Sequence, residues 1–386
     1  LLNNEILEII NGNPATFEAA VHPAIFTVRK TSSPQRGPIR FIEGRSTAIN
    51  EFKKFVSGSE GLEVDPDLYL SNIDNKFFYP NEKNIDLYHT LFKPLSKTAE
   101  KWEDAIEDID EQIKNQDAIE SNLSEKTPGD LTLLGLACLS AKGLSTGSNS
   151  EHLAYIEGSY EAQRVREKND EFKYNQENKK GYWYISRVVT KDRIADVHSL
   201  SDSEKETGIK SEPVWVPLQK AGGKETVYYY QTPVCIDWSK DSIQAIKDRS
   251  SGRLRRPQFY FKDSVFLSSE GNQSIRARFV SGEVLNHSGN IMIPLTERIS
   301  PKYLVGFLNS DVVLNIVNRM INHTVNTEVR DIRRIPTIIP DPKTHDKIVE
   351  KVDAIIDIKK GDRTGDVEDI QSEIDSLIEN LYGVSF

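Results

Sequence analysis

The sequence predicts an α+β fold in which an irregular, mostly β unit is preceded by a helical spacer and followed by a helical pair. Three observations predict it. Short β-branched and aromatic runs with turn signals between them fill the chain from Leu131 to about Ile339. Before them, Trp102, Ile106, Ile109 and Ile113 recur at spacings of four, three and four, as on one helix face. After them, Ile348, Val352, Ile355 and Ile356, then Ile370, Ile374, Leu377, Ile378 and Leu381, mark two helices around a break at Gly361–Gly365.

Taken in order, the elements give four segments. Residues 1–60 open with a strand (Ile6–Ile10), a break at Asn11-Gly12-Asn13-Pro14 and a second strand (Ala24–Lys30), followed by a Pro- and Gly-containing loop. Residues 61–128 form the spacer, with one helix expected from Ala99 to Glu125 whose outer face is acidic. Residues 129–340 hold the candidate strands Tyr182–Thr190, Val214–Leu218, Thr226–Tyr230, Pro257–Phe261, Val265–Ser269 and Ile291–Leu295. A helix with Tyr303, Leu304, Phe307, Leu308, Val312, Ile316 and Met320 on one face closes that segment, and 341–386 form the C-terminal helical hairpin.

A chain of 386 residues, 37% hydrophobic and 28% charged, is long enough for two or three cores. It contains no run of eighteen apolar residues and no signal-peptide pattern, so no membrane partner is expected. Two cysteines, Cys138 and Cys235, without CxxC spacing, fit a reducing cytoplasm. The first residue is Leu1 and the only methionines are Met292 and Met320, which reads as part of a longer polypeptide.

The net charge of −10 speaks against a polyanionic partner only until it is mapped. Glu100–Lys126 carries ten acids against three lysines, a local −7, whereas Arg249–Arg278 carries seven bases against two acids, a local +5. The acidic helix is expected to point away from any nucleic acid. The basic stretch sets Arg253, Arg255 and Arg256 beside Phe259, Tyr260 and Phe261, and places Arg276 and Arg278 on one face of a strand. A second cluster, Asn322–Arg334, adds Asn326, Thr327, Arg330, Arg333 and Arg334. Guanidinium groups grip phosphate bidentately and read guanine edges, and amides read adenine, so two such clusters in one β-rich unit point to nucleic acid.

Catalytic patterns are sparse. No HExxH, GxSxG or HxE…CxxC arrangement occurs, and the seven histidines are scattered singly. Glu51/Lys53 and Glu171/Lys173 have nuclease-like spacing without an upstream Pro-Asp, and read as surface residues. The glycine-rich stretch KGLSTGSN, Lys142–Asn149, completes neither the P-loop nor the dinucleotide pattern. It reads as a turn between apolar strands, with Gly143, Thr146, Gly147 and Asn149 structural and Lys142 and Ser145 as candidate DNA contacts.

In their order along the chain, KGLSTGSN, WVPLQKAGG, RLRRPQFYFKDSVFLSS, RARF, LVGFLNSDVV, NTEVRDIRRIPTIIP and IDSLIENLYGV resemble the C-terminal target-recognition region of large adenine-specific DNA methyltransferases. That group includes type IIG restriction–modification enzymes and the methyltransferases of BREX phage-exclusion systems. The resemblance runs from about residue 1 to residue 386, and makes residues 1–60 the trailing strands of an α/β catalytic domain. It implies double-stranded DNA as partner, with other subunits of a restriction or phage-exclusion complex as further candidates.

The family's Asn-Pro-Pro-Tyr and F-x-G-x-G motifs do not occur; Asn13-Pro14-Ala15-Thr16 is not the former. Adenine-N6 transfer needs bound S-adenosylmethionine and a flipped base held by such a loop. The resemblance therefore implies that S-adenosylmethionine belongs to the parent enzyme, that this segment holds no cofactor, metal or catalytic residue, and that it selects the DNA sequence. Two other readings stay open: a stand-alone specificity subunit like that of type I systems, against which the lack of an internal repeat counts, and an acidic scaffold that binds only protein.

Overall fold

The computed structural model describes residues 4–12, 24–31, 37–73, 76–167, 185–221, 226–268, 275–322 and 328–384. Its strands, in chain order, are β1 (Glu5–Asn11), β2 (Ala24–Arg29), β3 (Ile39–Glu43), β4 (Leu62–Val64), β5 (Leu131–Leu133), β6 (Cys138–Lys142), β7 (Leu153–Ile156) and β8 (Val188–Val189). They continue with β9 (Trp215–Gln219), β10 (Val234–Asp237), β11 (Ser264–Ser268), β12 (Arg276–Val280), β13 (Val284–Leu285), β14 (Gly289–Pro294) and β15 (Pro336–Ile338). The fold is mixed α and β, with several small sheets and interspersed helices.

The first sheet, ordered β2-β1-β3-β4, pairs β1 antiparallel to β2 and parallel to β3. Two sheets form the centre: five-stranded β13-β9-β10-β7-β8 and four-stranded β12-β11-β14-β6. Side chains alternate across a strand, and in the four-stranded sheet both faces are buried. Val265, Leu267, Ala277 and Met292 enter one core with Phe307, Ile355 and Ile378 of the C-terminal helices. Leu139, Ala141, Phe266, Val280 and Ile291 enter a second core with Val216, Ile236 and Trp238 of the five-stranded sheet. Burial on both faces explains why VFL and IMI read as unbroken apolar runs.

The expected spacer helix from Ala99 to Glu125 is four short helices, Ser96–Lys101, Glu103–Glu107, Ile109–Lys114 and Gln116–Ser124. Asp108 breaks it: its backbone is extended and its carboxylate accepts from the amides of Asp110 at 2.7 Å and Glu111 at 3.2 Å, as an N-cap does. The break divides the apolar seam. Trp102 and Ile106 pack on the first core, Ile109 and Ile113 on the second.

Other expectations are adjusted in the same way. Thr226–Tyr230 is not a strand; Tyr228 makes a single bridge to Arg278 at φ +70°. Pro257–Phe259 is a 3-10 turn between Arg256 and Phe261, both in left-handed backbone. Of Tyr182–Thr190, only Val188–Val189 is a described strand, and residues 182–184 lie outside the described residues. The helix through Tyr303 bends by 58° between Pro301–Leu308 and Asp311–Ile321, where Ser310 caps the second part. No single helix among the described residues is long and apolar enough to cross a membrane. Pro342–Gly361 and Glu368–Tyr382 form the hairpin, with Ile348, Val352, Ile355, Ile374 and Ile378 buried.

Candidate nucleic-acid interface

The stretch Lys142–Asn149 joins two sheets rather than two paired strands: β6 belongs to the four-stranded sheet and β7 to the five-stranded one. Its glycines meet steric needs. A Cβ on Gly143 would lie 2.2 Å from the Leu285 carbonyl oxygen; Gly147 has φ +71°, and a Cβ there would lie 2.5 Å from Arg249 Cδ. Thr146 is buried and donates to Asn149 Oδ1 at 2.9 Å. The loop is held by its own packing, which leaves Lys142 and Ser145 at its edge, half-buried.

From that edge the predicted residues gather. Ser145 and Arg253 exchange both backbone hydrogen bonds, at 3.0 and 2.8 Å. Arg255 donates through Nη1 to the Gly143 carbonyl at 3.4 Å. Residues more than a hundred positions apart thus form one surface, on which Arg253 and Arg255 are exposed and Arg256 is half-buried. Across the four-stranded sheet, Arg276 pairs with Ser268 and Ser268 with Gly289, while Lys142 pairs with the next residue, Asn290. Arg276 and Lys142 therefore stand at the same end of the sheet.

The acidic spacer does not point away from this surface. Glu107, Asp108, Asp110, Lys142, Arg255, Arg256 and Arg333 share the lining of a cleft of about 540 Å³. Asp110 is ion-paired with Arg256, and Glu107 with Arg334. The second cluster reaches the same cleft through Val329 and Arg333. Carboxylates and guanidiniums on facing walls offer acceptors and donors to a polar edge, whereas a bare phosphate there would meet like charge.

Three of the predicted contacts are interior residues, and the sequence reading is corrected on each. Arg278 is 2% exposed, lies over the Tyr230 and Phe266 rings at 5.4 and 5.0 Å, and donates to the Lys220 carbonyl. Arg333, also 2% exposed, donates to the carbonyls of Ile106 (3.1 Å), Glu107 (3.0 Å) and Ser140, and to Ser140 Oγ (3.1 Å). Burial pulls the pKa of each down to about 10, against the opposing pull of Glu283 on Arg278 and of Asp108 and Glu107 on Arg333. Arg334 is 3% exposed. Arg330 is exposed and pairs with Glu328 at 3.3 Å. Asn326 and Thr327 lie outside the described residues, as do Glu171 and Lys173.

Sequence reasoning missed Lys220, His287 and Glu283, each a lone charged or titratable residue between strands. Burial lowers the pKa of Lys220 and His287, and raises that of Glu283 to about 7. Only WVPLQK, with a lysine directly after a strand, carried a signal for any of them. Among the described residues no group of three or more His, Cys, Asp or Glu side chains could hold a metal ion.

No protein-family model and no curated protein matches the chain. Among solved structures, it is similar to the type IIL restriction-modification enzyme MmeI in complex with DNA, at 12% identity and a TM-score of 0.38, over 100% of this chain and 44% of that one. It is also similar to the HsdS subunit from Thermoanaerobacter tengcongensis, at 11% identity and a TM-score of 0.29, over 78% of this chain and 59% of that one. The chain thus spans less than two thirds of the length of either protein.

Proposed function

We propose that this chain recognises a DNA sequence on behalf of an adenine-N6 DNA methyltransferase of a restriction–modification or phage-exclusion system. The observation that carries the reading is the assembly of Lys142, Ser145, Arg253, Arg255 and Arg256 into one surface from segments distant in sequence. The order of motifs resembling that methyltransferase group supports it. Double-stranded DNA is the partner, with Arg276 and Arg330 at the margins of the contact.

Two kinds of contact divide the surface. The cleft between Asp110 and Arg256 suits base edges, because a carboxylate accepts from the cytosine amino group and a guanidinium donates to guanine. The end of the four-stranded sheet that carries both Lys142 and Arg276 suits phosphates. On this reading S-adenosylmethionine and the base-flipping loop belong to the parent enzyme, the strands β2, β1 and β3 of the first sheet, within residues 1–60, are the tail of its catalytic domain, and this segment alone transfers no methyl group. Ile25, Val28, Phe55 and Leu62, exposed on or beside that sheet, suit packing against the rest of that domain or another subunit. The buried thiols of Cys138 and Cys235 fit the reducing cytoplasm.

The test is fluorescence anisotropy with short labelled duplexes over a salt series, followed by selection from randomised duplexes. Binding at low ionic strength with a slope of several units in log K against log salt, and one enriched sequence, is the expected result. No binding at low ionic strength overturns the reading and leaves a protein scaffold.

A further inference from the structure

A cavity of about 500 Å³ lies where the first sheet meets the spacer and the bent helix of the β-rich unit. Alternation puts Ile9, Asn11, Ala24, Phe26 and Phe41 on one face of that sheet, since Ile9 pairs with both Phe26 and Phe41, and Asn11 with Ala24. The spacer supplies Phe77, Phe78 and Tyr79, then Asn81 and Asn84 at the capped start of the helix Glu82–Leu87. Asn318 and Arg319 come from Val317–Ile321, a π-helical turn, which is a rare form found mostly at functional sites. Three segments distant in sequence thus give one wall each.

The walls are aromatic rings that brace one another. Phe26 meets Phe77 edge to face at 5.3 Å, and Phe41 meets Tyr79 at the same distance. The Arg45 guanidinium lies over the Tyr79 ring at 5.1 Å, while its Nε donates to both Glu43 carboxylate oxygens at 3.0 Å. Its charge is answered, and its plane extends the stacking surface. Asn84, 2% exposed, donates through Nδ2 to the Tyr79 carbonyl at 2.7 Å. That bond fixes which way the amide faces and leaves Oδ1 buried without a partner. A buried acceptor in that state is costly until a donor reaches it.

We propose that this cavity binds a nucleobase, its ring packed against the aromatic walls and one of its N–H groups donating to Asn84 Oδ1. Unstacked bases are held by this chemistry, on aromatic rings and guanidinium planes with their edges hydrogen-bonded. Among the described residues, the lining carries four asparagine amides and no carboxylate. The amides offer donors and acceptors together, which a base edge uses and an indole or phenol does not. A cationic ring finds no counter-charge there. The base has two sources, a free nucleoside or a nucleotide turned out of bound DNA, and only the second rests on the DNA-recognition reading.

The test is calorimetric titration with each of the common deoxynucleosides, without and with a saturating short duplex at low ionic strength. Saturable binding of at least one nucleoside is the expected result. Ala24→Trp fills the cavity from an exposed strand position, and should abolish nucleoside binding with the urea midpoint unchanged. Asn84→Leu removes the acceptor, and should weaken binding about tenfold. A duplex that displaces the nucleoside and binds Ala24→Trp more weakly names DNA as the source of the base. Nucleoside and duplex bound together without mutual effect name a free nucleoside. Nucleoside binding that is identical in Ala24→Trp and the unaltered chain overturns the proposal. So does an absence of nucleoside binding together with a duplex affinity that Ala24→Trp leaves unchanged, a result that spares the DNA reading. Nucleoside binding by a chain that binds no duplex at low salt overturns the DNA reading and keeps the base site.

Discussion

Asp110 of the acidic spacer is ion-paired with Arg256 of the β-rich unit, across 146 positions of sequence. Asp110 is largely exposed and Arg256, in left-handed backbone, is half-buried. A carboxylate therefore stands where an approaching phosphate or base edge has to compete for the guanidinium. Removing it leaves the arginine in place without its internal counter-charge.

Asp110→Ala is expected to tighten duplex binding several-fold at low ionic strength, and to steepen the salt dependence by about one unit as Arg256 becomes available to phosphate. Stability should change by less than about 1 kcal/mol, since the pair is exposed on its acidic side. Anisotropy over a salt series, with a denaturant melt beside it, measures both. Weaker binding would show that Asp110 itself contacts the DNA.

Arg333 and Arg255 separate structure from recognition. Arg333→Met strands the carbonyls of Ile106, Glu107 and Ser140 in the interior and should cost about 3 kcal/mol or more, read as a lowered urea midpoint. Arg255→Ala, at an exposed position, should change stability by no more than about 0.5 kcal/mol and weaken duplex binding. The reverse pattern would place the DNA contact at the spacer junction instead.

Glu283 predicts a pH dependence of folding. Burial raises its carboxyl to about 7, opposed by a hydrogen bond from Gln219 and by the Arg278 charge. Its folded-state pKa is above the unfolded value, so the folded chain holds a proton that the unfolded chain releases. That contribution is complete below about pH 4.3, the ordinary value for Glu, and is lost as pH rises through about 7. Urea midpoints should therefore fall between about pH 5 and about pH 8, and Glu283→Gln should flatten that part of the profile. A midpoint rising with pH in the unaltered chain, and unchanged by Glu283→Gln, would rule this out.

What could be read in the sequence follows what local pattern encodes. The hairpin seams at Ile348, Val352, Ile355, Ile374 and Ile378 are buried as their spacing says, because a helix with one apolar stripe has only one way to pack. Arg278 was misplaced for the opposite reason. Alternation correctly puts Arg276 and Arg278 on one face of β12, but whether that face meets water depends on the second sheet laid over it. Arg333 and Glu107 lie 226 residues apart, and no local feature of either announces the other. The seam through Ile106 and Ile109 has a helical period in the sequence across a real break, and the period does not show that Asp108 caps a new helix whose Ile109 and Ile113 enter the other core. The glycines of KGLSTGSN marked a turn, but the surface they adjoin needed Arg253 and His287 from elsewhere in the chain.

The four-stranded sheet has a bearing on how the protein can be cut or exchanged. Val265, Leu267, Ala277 and Met292 look into a core completed by Phe307, Ile355 and Ile378, while Phe266 and Ile291 look into the other. Residues 129–340 excised at both ends would keep the helix Pro301–Leu308 on the first of those faces but bare the side of that helix that packs against Ile348, Val352 and Ile374, and so invite self-association. Grafting a new specificity onto this scaffold therefore calls for transplanting loops and strand ends such as Lys142–Ser145, Arg253–Arg256 and Asn286–Gly289. The helical hairpin has to travel with any larger piece.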